Sequence, residues 1–234
     1  MNKYELKIRV VDYAKKIMGD AFVENRYFKR CAQTYLKKQL VFVHIPKAAG
    51  SSISNSIYGK RNGHYTYNEI LNSGLSVSAS LSTLPSFSVV RHPVSRLLSS
   101  YRYARNGGGS DGGIFPDQGY KSDSFSSFSK FINEWLVEQD LDSVDRVFMP
   151  QSRFVMSDVK GCESSQYREL DFIGKVEEMH EVKRWLQETL GEEIHIPHKN
   201  VTDKSDDEAA LISALDLEIV RSLYKADFEM FDYK

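Results

Sequence analysis

Short apolar runs alternate with longer amphipathic stretches along this chain. The apolar runs predict three buried strands, at residues 40–45, 87–90 and 171–176. The amphipathic stretches predict helices at residues 6–17, 125–138, 178–190 and 205–224, with two more ending near Tyr58 and beginning at Pro93. Strands that alternate with helices are typical of a mainly parallel central sheet that is flanked by helices. We therefore predict a single α/β domain.

Helix-capping residues and glycines refine the predicted bounds of these elements. Ser205 and Glu208 form a capping-box pattern at the start of the last predicted helix, and Gly191 follows the end of the one before it. Residues 106–113 are rich in glycine and predict a loop. This loop is either a lid beside the site or a simple connection. The sequence shows no repeat and no second domain, so we predict an N-terminal helical extension at residues 1–39 and a core at residues 40–234.

The first strand runs into a loop of small residues and then into a helix start. In such a turn, backbone N–H groups and the positive end of the helix dipole converge on an anion. Lys47 would add a mobile positive charge, and Ser51 and Ser52 would add hydroxyl donors. The alternative is an ordinary strand-to-helix turn with a serine N-cap.

A second junction of the same kind follows the second strand. Arg91 lies where that strand ends, Pro93 suits the first position of a helix, and Ser99 lies further along the helix. An arginine at the carboxyl end of a strand and a serine on the next helix can hold one phosphate between them. The second junction therefore favours phosphate binding over an ordinary turn at the first.

Together these segments resemble the sulfotransferases that use 3′-phosphoadenosine-5′-phosphosulfate (PAPS), especially the carbohydrate branch that is similar to heparan 2-O-sulfotransferase, in a bacterial form. The family's first motif matches residues 46–52 and its second matches residues 91–99. Looser matches at residues 149–151, 171–177, 197–200 and 227–231 extend the resemblance from about residue 40 to residue 234. Ala48 and His92 depart from the pattern, where many relatives have threonine and aspartate.

The resemblance implies roles for particular residues. The first motif would hold the 5′-phosphosulfate end of PAPS, and Arg91 with Ser99 would hold its 3′-phosphate. Lys47 would also stabilise charge during transfer. Gly63-His64 resembles the element that supplies a catalytic base. The residues implied to bind the donor in the first motif are Pro46, Lys47, Ala49, Gly50, Ser51 and Ser52.

The spacing of Lys47 and Gly50 differs from that of an ATP-binding P-loop. An ATP-binding P-loop has its lysine directly after the second glycine, whereas Lys47 precedes Gly50 by three residues. A kinase also needs carboxylates that bind magnesium, and neither junction contains one. A nucleotide or small-molecule kinase and a noncatalytic nucleotide-binding module remain the alternatives to a sulfotransferase.

Histidine is the usual general base near neutral pH. His44 lies in the first predicted strand and is interpreted as a core residue, and His180 is interpreted as solvated. On residue chemistry alone His64 and His92 rank equally, and the resemblance favours His64. Glu69 is the nearest carboxylate and is the alternative base.

No metal site is expected. His195 and His198 are the closest pair of histidines, but Pro197 breaks the helical spacing and no further ligands cluster near them. The two cysteines, Cys31 and Cys162, are too few and too far apart to indicate a zinc site or a disulfide framework.

Charge and composition limit the partners. The net charge of −1 gives no reason to expect nucleic-acid binding. Residues 1–40 carry ten Lys/Arg against four Asp/Glu, so this segment either contacts an anionic membrane or is the solvated side of a packed helix. The N-terminus lacks a signal-peptide pattern, so a cytoplasmic enzyme is expected. The implied acceptor is a hydroxyl of a saccharide or glycolipid, and the oligomeric state is not indicated.

Overall fold

The computed structural model describes residues 20–72, 80–107, 120–157, 169–197 and 212–234, with side chains from residue 28 onward. The predictions for residues 6–17, for Ser205 with Glu208, and for most of the glycine-rich loop lie outside these residues, as do His198 and Cys162.

A small parallel sheet is the centre of the fold. It consists of β1 (Val41–Val43), β2 (Ser86–Val90) and β3 (Phe172–Lys175), with β2 in the middle. Phe42 pairs with Phe87, and Phe87 pairs with Phe172. All three predicted strands are therefore confirmed, and their carboxyl ends meet at one edge of the sheet.

Helices flank the sheet. Those within the described residues are α1 (Asp20–Lys38), α2 (Gly50–Tyr58), α3 (Tyr67–Leu71), α4 (Pro93–Arg105), α5 (Phe128–Lys130), α6 (Gln151–Val155), α7 (Met179–Leu190), α8 (Ala214–Leu223) and α9 (Lys225–Met230). The predicted start at Pro93, the end at Tyr58 and the helix that ends before Gly191 are confirmed. None of the helices within the described ranges is long and apolar enough to cross a membrane.

Two helical predictions need correction. Residues 125–138 do not form one α-helix, because α5 passes into a π-helical turn at Phe131–Trp135 and a 3₁₀ turn at Leu136–Glu138. The prediction of one continuous helix from Ser205 to Tyr224 is also wrong. Ser213 is extended and forms a capping box with Asp216, so α8 begins only at Ala214.

The core has two parts. One surrounds the sheet, where the rings of Phe42 and Phe87 stack at 4.6 Å and Trp185 of α7 stacks on Phe172 at 5.1 Å. The other is largely aromatic and packs α4 against the π-helical turn and α8.

Candidate active site

The loop between β1 and α2, residues 44–49, has an unusual backbone. Lys47 and Ala49 both have positive φ, at 65° and 58°, which is uncommon for residues other than glycine. Ala49 is the N-cap of α2, a nine-residue helix with no acidic residue in its first turn and no side-chain cap. Left-handed residues before a helix start direct several backbone N–H groups to one side, which suits an anion.

Gly50 begins α2 at a point where no side chain fits. A Cβ atom there would lie 1.9 Å from Cδ2 of His44. His44 is buried directly after β1, as predicted for a core residue. Ser51 and Ser52, in the first turn of α2, are half-buried, and the Ser52 N–H donates to the Ala49 carbonyl at 3.1 Å.

Lys47 is influenced by the charge of Arg91, although 44 positions separate them in the sequence. Burial lowers the pKa of Lys47, and the positive charge of Arg91 lowers it further. Its ammonium lies 4.4 Å from the centre of the Tyr103 ring. No ion pair of Lys47 with a carboxylate is found within the described residues.

Arg91 directly follows β2, and its backbone is fixed from both sides by one amide. Gln151 Oε1 accepts from the Arg91 N–H at 2.9 Å, and Gln151 Nε2 donates to the Arg91 carbonyl at 2.7 Å. Burial lowers the pKa of the Arg91 guanidinium; Glu177 opposes this shift and Arg102 adds to it. The site thus carries an excess of positive charge.

Ser99 shares a face of α4 with residues that contact this cluster. Arg102 and Tyr103 follow it by three and four positions, which places them on the same side of the helix. Arg102 acts on Arg91 through its charge, and Tyr103 contacts Lys47. Ser99 is half-buried there.

Arg96, which also lies on α4, has a structural role. Its side chain is fully buried, and it donates from Nε to the Pro46 carbonyl at 3.0 Å and from Nη2 to the Val147 carbonyl at 3.3 Å. Pro46 is also buried. Arg96 therefore ties the second junction to the loop of the first.

His64 lies beside this cluster in a defined tautomer. Its Nδ1 lies 2.9 Å from the His44 carbonyl, which can only accept, so Nδ1 carries the proton and Nε2 is free of one in the neutral ring. The residue is exposed to solvent, although its ring packs against the buried ring of His44 with 4.1 Å between the centres. Desolvation, with nearby positive charges, lowers its pKa to about 4.

Glu69 lies close to His64 but is fully engaged. Its carboxylate forms a two-point ion pair with Arg146, at 2.5 and 2.8 Å, and accepts from the Thr66 N–H at 2.7 Å in a capping box. Burial raises the pKa of Glu69, but the hydrogen bonds from Arg146 and Thr66 and the charge of Arg146 lower it by more, so the net shift is downward. The Arg146 guanidinium also donates to the His64 carbonyl.

Neither His92 nor His180 contacts His64 or Lys47 in the described part of the chain. His92 is the N-cap residue of α4, without a side-chain cap. Its backbone N–H donates to Glu177 Oε1 at 2.9 Å, and its ring lies edge-on to Tyr233 with 5.2 Å between the centres. His180 is exposed beside Glu181. Within the described ranges, no group of three or more His, Cys, Asp or Glu residues is placed to hold a metal ion.

Several residues of the site were not singled out from the sequence. Arg102 and Tyr103 follow Ser99 at helical spacing, and this signal was available. Gln151 lies in the matched segment 149–151, but its contact with Arg91 could not be inferred from it, and no local pattern marks Arg146. Glu177, which orders the Arg91 side of the site, lies just beyond β3.

The comparison with protein families now identifies the class. The model of the Sulfotransferase family matches residues 34–234, which include every site residue described above. The chain therefore belongs to the sulfotransferase family. Comparisons with curated proteins and with solved structures found no match.

Proposed function

We propose that this sulfotransferase moves the sulfuryl group of PAPS to a hydroxyl of a saccharide or glycolipid. The observation that carries the proposal is a pair of half-buried cations that follow β1 and β2: burial lowers the pKa of both Lys47 and Arg91, and the charge of Arg91 lowers that of Lys47 further. A ligand with two separated anionic groups would relieve the repulsion between these charges. PAPS, with charge at its 5′ and 3′ ends, has this character.

The two junctions would hold opposite ends of the donor. The N–H groups of Ala49 and Gly50, with the Ser51 and Ser52 hydroxyls, would bind the 5′-phosphate at the start of α2. Arg91 and Ser99 would bind the 3′-phosphate, with the planar guanidinium offering two parallel donors. The lack of an acidic residue in the first turn of α2 supports an anion there.

His64 would act as the general base. Its Nε2 would accept the proton of the acceptor hydroxyl while that oxygen forms a bond to sulfur. The bond between sulfur and the bridging oxygen of the 5′-phosphate would break, and Lys47 would stabilise the negative charge that grows on that oxygen. The fixed tautomer supports this role, because it leaves Nε2 without a proton and able to accept one.

The acceptor class rests on the resemblance of Gly63-His64 to the carbohydrate branch. The surroundings of His64 agree with a polar acceptor, because the site is open to solvent there and basic groups lie close by. An ATP-dependent kinase is the alternative, and ATP is included below as a direct test.

The decisive experiment compares nucleotides by calorimetry. We expect 3′-phosphoadenosine-5′-phosphate to bind about ten- to a hundredfold more tightly than AMP, since a hydrogen bond to a charged group contributes about 1.5–3 kcal/mol. Arg91→Ala should remove most of this preference and leave AMP binding nearly unchanged. Arg184→Ala, an exposed arginine on α7, is the matched control. Equal affinity for both nucleotides, or tighter binding of ATP with magnesium, would refute the proposal.

A further inference from the structure

The ring of His44 lies between the two halves of the proposed site. It is 3% exposed, directly after β1. On one side it fills the space that Gly50 leaves at the start of α2, where a Cβ would lie 1.9 Å away. On the other side its centre is 4.1 Å from the centre of the His64 ring. One buried side chain therefore touches both the donor loop and the proposed base.

His44 is held firmly in this position. Its Nδ1 donates to the Asn62 carbonyl at 3.1 Å, and the Asn62 N–H donates to Ser54 Oγ on α2, also at 3.1 Å. Its ring stacks on Phe42 of the sheet with 5.6 Å between centres and 15° between planes. Movement of the ring would therefore require movement of α2 or of the sheet.

The backbone of His44 also holds the base. Its carbonyl accepts from Nδ1 of His64 at 2.9 Å, which sets the orientation and the tautomer of that ring. A ring contact and a carbonyl contact from the same residue leave His64 little freedom relative to Gly50. Such control matters because a shift of about 1 Å in a reacting group can cost about a hundredfold in rate.

We propose that His44 is a positioning residue, whose ring fixes the separation between the donor loop and His64. This inference rests on the proposed function. The contact operates between neutral rings, since burial lowers the pKa of His44 well below its usual range, and His64 and Arg61 add to the effect. The charged groups that lower the pKa of His64 are Arg146, Arg96 and Lys47, and the carboxylate of Glu69 is paired with Arg146 beside it.

The test uses His44→Ala, His44→Phe and the exposed control His180→Ala. The tautomer and pKa of His64 are measured in each folded protein by nitrogen NMR of the imidazole. Binding of 3′-phosphoadenosine-5′-phosphate is measured by calorimetry, and turnover is measured with PAPS and an active acceptor. His44→Phe keeps a flat ring beside Gly50 and His64, whereas His44→Ala removes it.

His44→Ala removes the buried ring that packs 4.1 Å from the His64 ring, so the desolvation of His64 should decrease and its pKa should rise from about 4 toward about 6.5. Turnover should fall about ten- to a hundredfold while nucleotide affinity changes by less than about threefold. His44→Phe should keep the low pKa of His64 and more of the turnover, and His180→Ala should match the parent protein.

Two results would overturn this role for His44. One is a folded His44→Ala protein with the parent pKa of His64 and the parent turnover, since the backbone carbonyl that sets the tautomer is kept in this variant. The other is an equal loss of nucleotide binding and turnover. If His44→Ala does not fold, His44→Leu replaces it, because leucine fills the volume without a flat ring. Failure of the parent protein to bind the bisphosphate would instead refute the proposed function, and the NMR comparison would still decide what His44 does.

Discussion

The choice of catalytic base can be tested with a pair of substitutions, His64→Ala and Glu69→Gln. The two residues lie near each other, but their surroundings differ. His64 presents an unprotonated Nε2 toward an open surface, whereas Glu69 is occupied by Arg146 and by the N-cap of α3. We expect the histidine to matter for turnover and the glutamate to matter little.

The expected magnitudes are well separated. A positioned general base contributes about 10² to 10⁴ in rate, which is about 3–5 kcal/mol of transition-state stabilisation. Glu69→Gln loses an ion pair in which both side chains are 41% exposed, and such pairs contribute about 0.2–1 kcal/mol to stability. Glutamine also suits the capping box with Thr66, so α3 should persist.

The assay follows transfer from PAPS to a saccharide under saturating donor, with nucleotide binding measured in parallel. His64→Ala should bind 3′-phosphoadenosine-5′-phosphate normally and turn over at least about a hundredfold more slowly. Glu69→Gln should retain turnover within about threefold of the parent enzyme. A nearly active His64→Ala beside a crippled Glu69→Gln would assign the base to Glu69 and refute our reasoning.

Two further predictions concern charge. Lys47→Ala should lower kcat by about a hundredfold or more and weaken binding of the product nucleotide less, as for loss of a transition-state donor; a raised KM with unchanged kcat would show that Lys47 only binds. The free energy of unfolding should fall as pH drops from about 7.5 to about 5.5, because His44 and His64 resist protonation in the folded protein but titrate near pH 6.5 once unfolded. The stability that these two neutral histidines contribute is fully present above the pKa of about 6.5 that they have in the unfolded chain. It is lost as the pH falls toward their lower pKa values in the folded protein. Urea midpoints at the two pH values measure it, and equal midpoints would contradict it.

Much of the fold could be predicted because it depends on short-range patterns. The strand at residues 87–90 is marked by a run of apolar residues, and the start of α4 is marked by Pro93, whose ring suits the first turn of a helix. The failure at residues 125–138 has a physical cause. The apolar spacing predicted a helix, but the packing of Phe131 and Trp135 into the aromatic core accompanies a π-helical turn.

The type of site followed from the residues that end two strands, since parallel strands must bring their carboxyl ends to one edge of a sheet. The residues that complete the site depend on contacts between distant segments. Arg96 binds the Pro46 carbonyl across 50 positions, and Gln151 fixes Arg91 across 60. The proposed role of His44 likewise could not be predicted, because it depends on contacts with Gly50 and His64 that exist only after the chain has folded. Spacing along the chain cannot show such contacts, because the three-dimensional packing decides which buried groups meet.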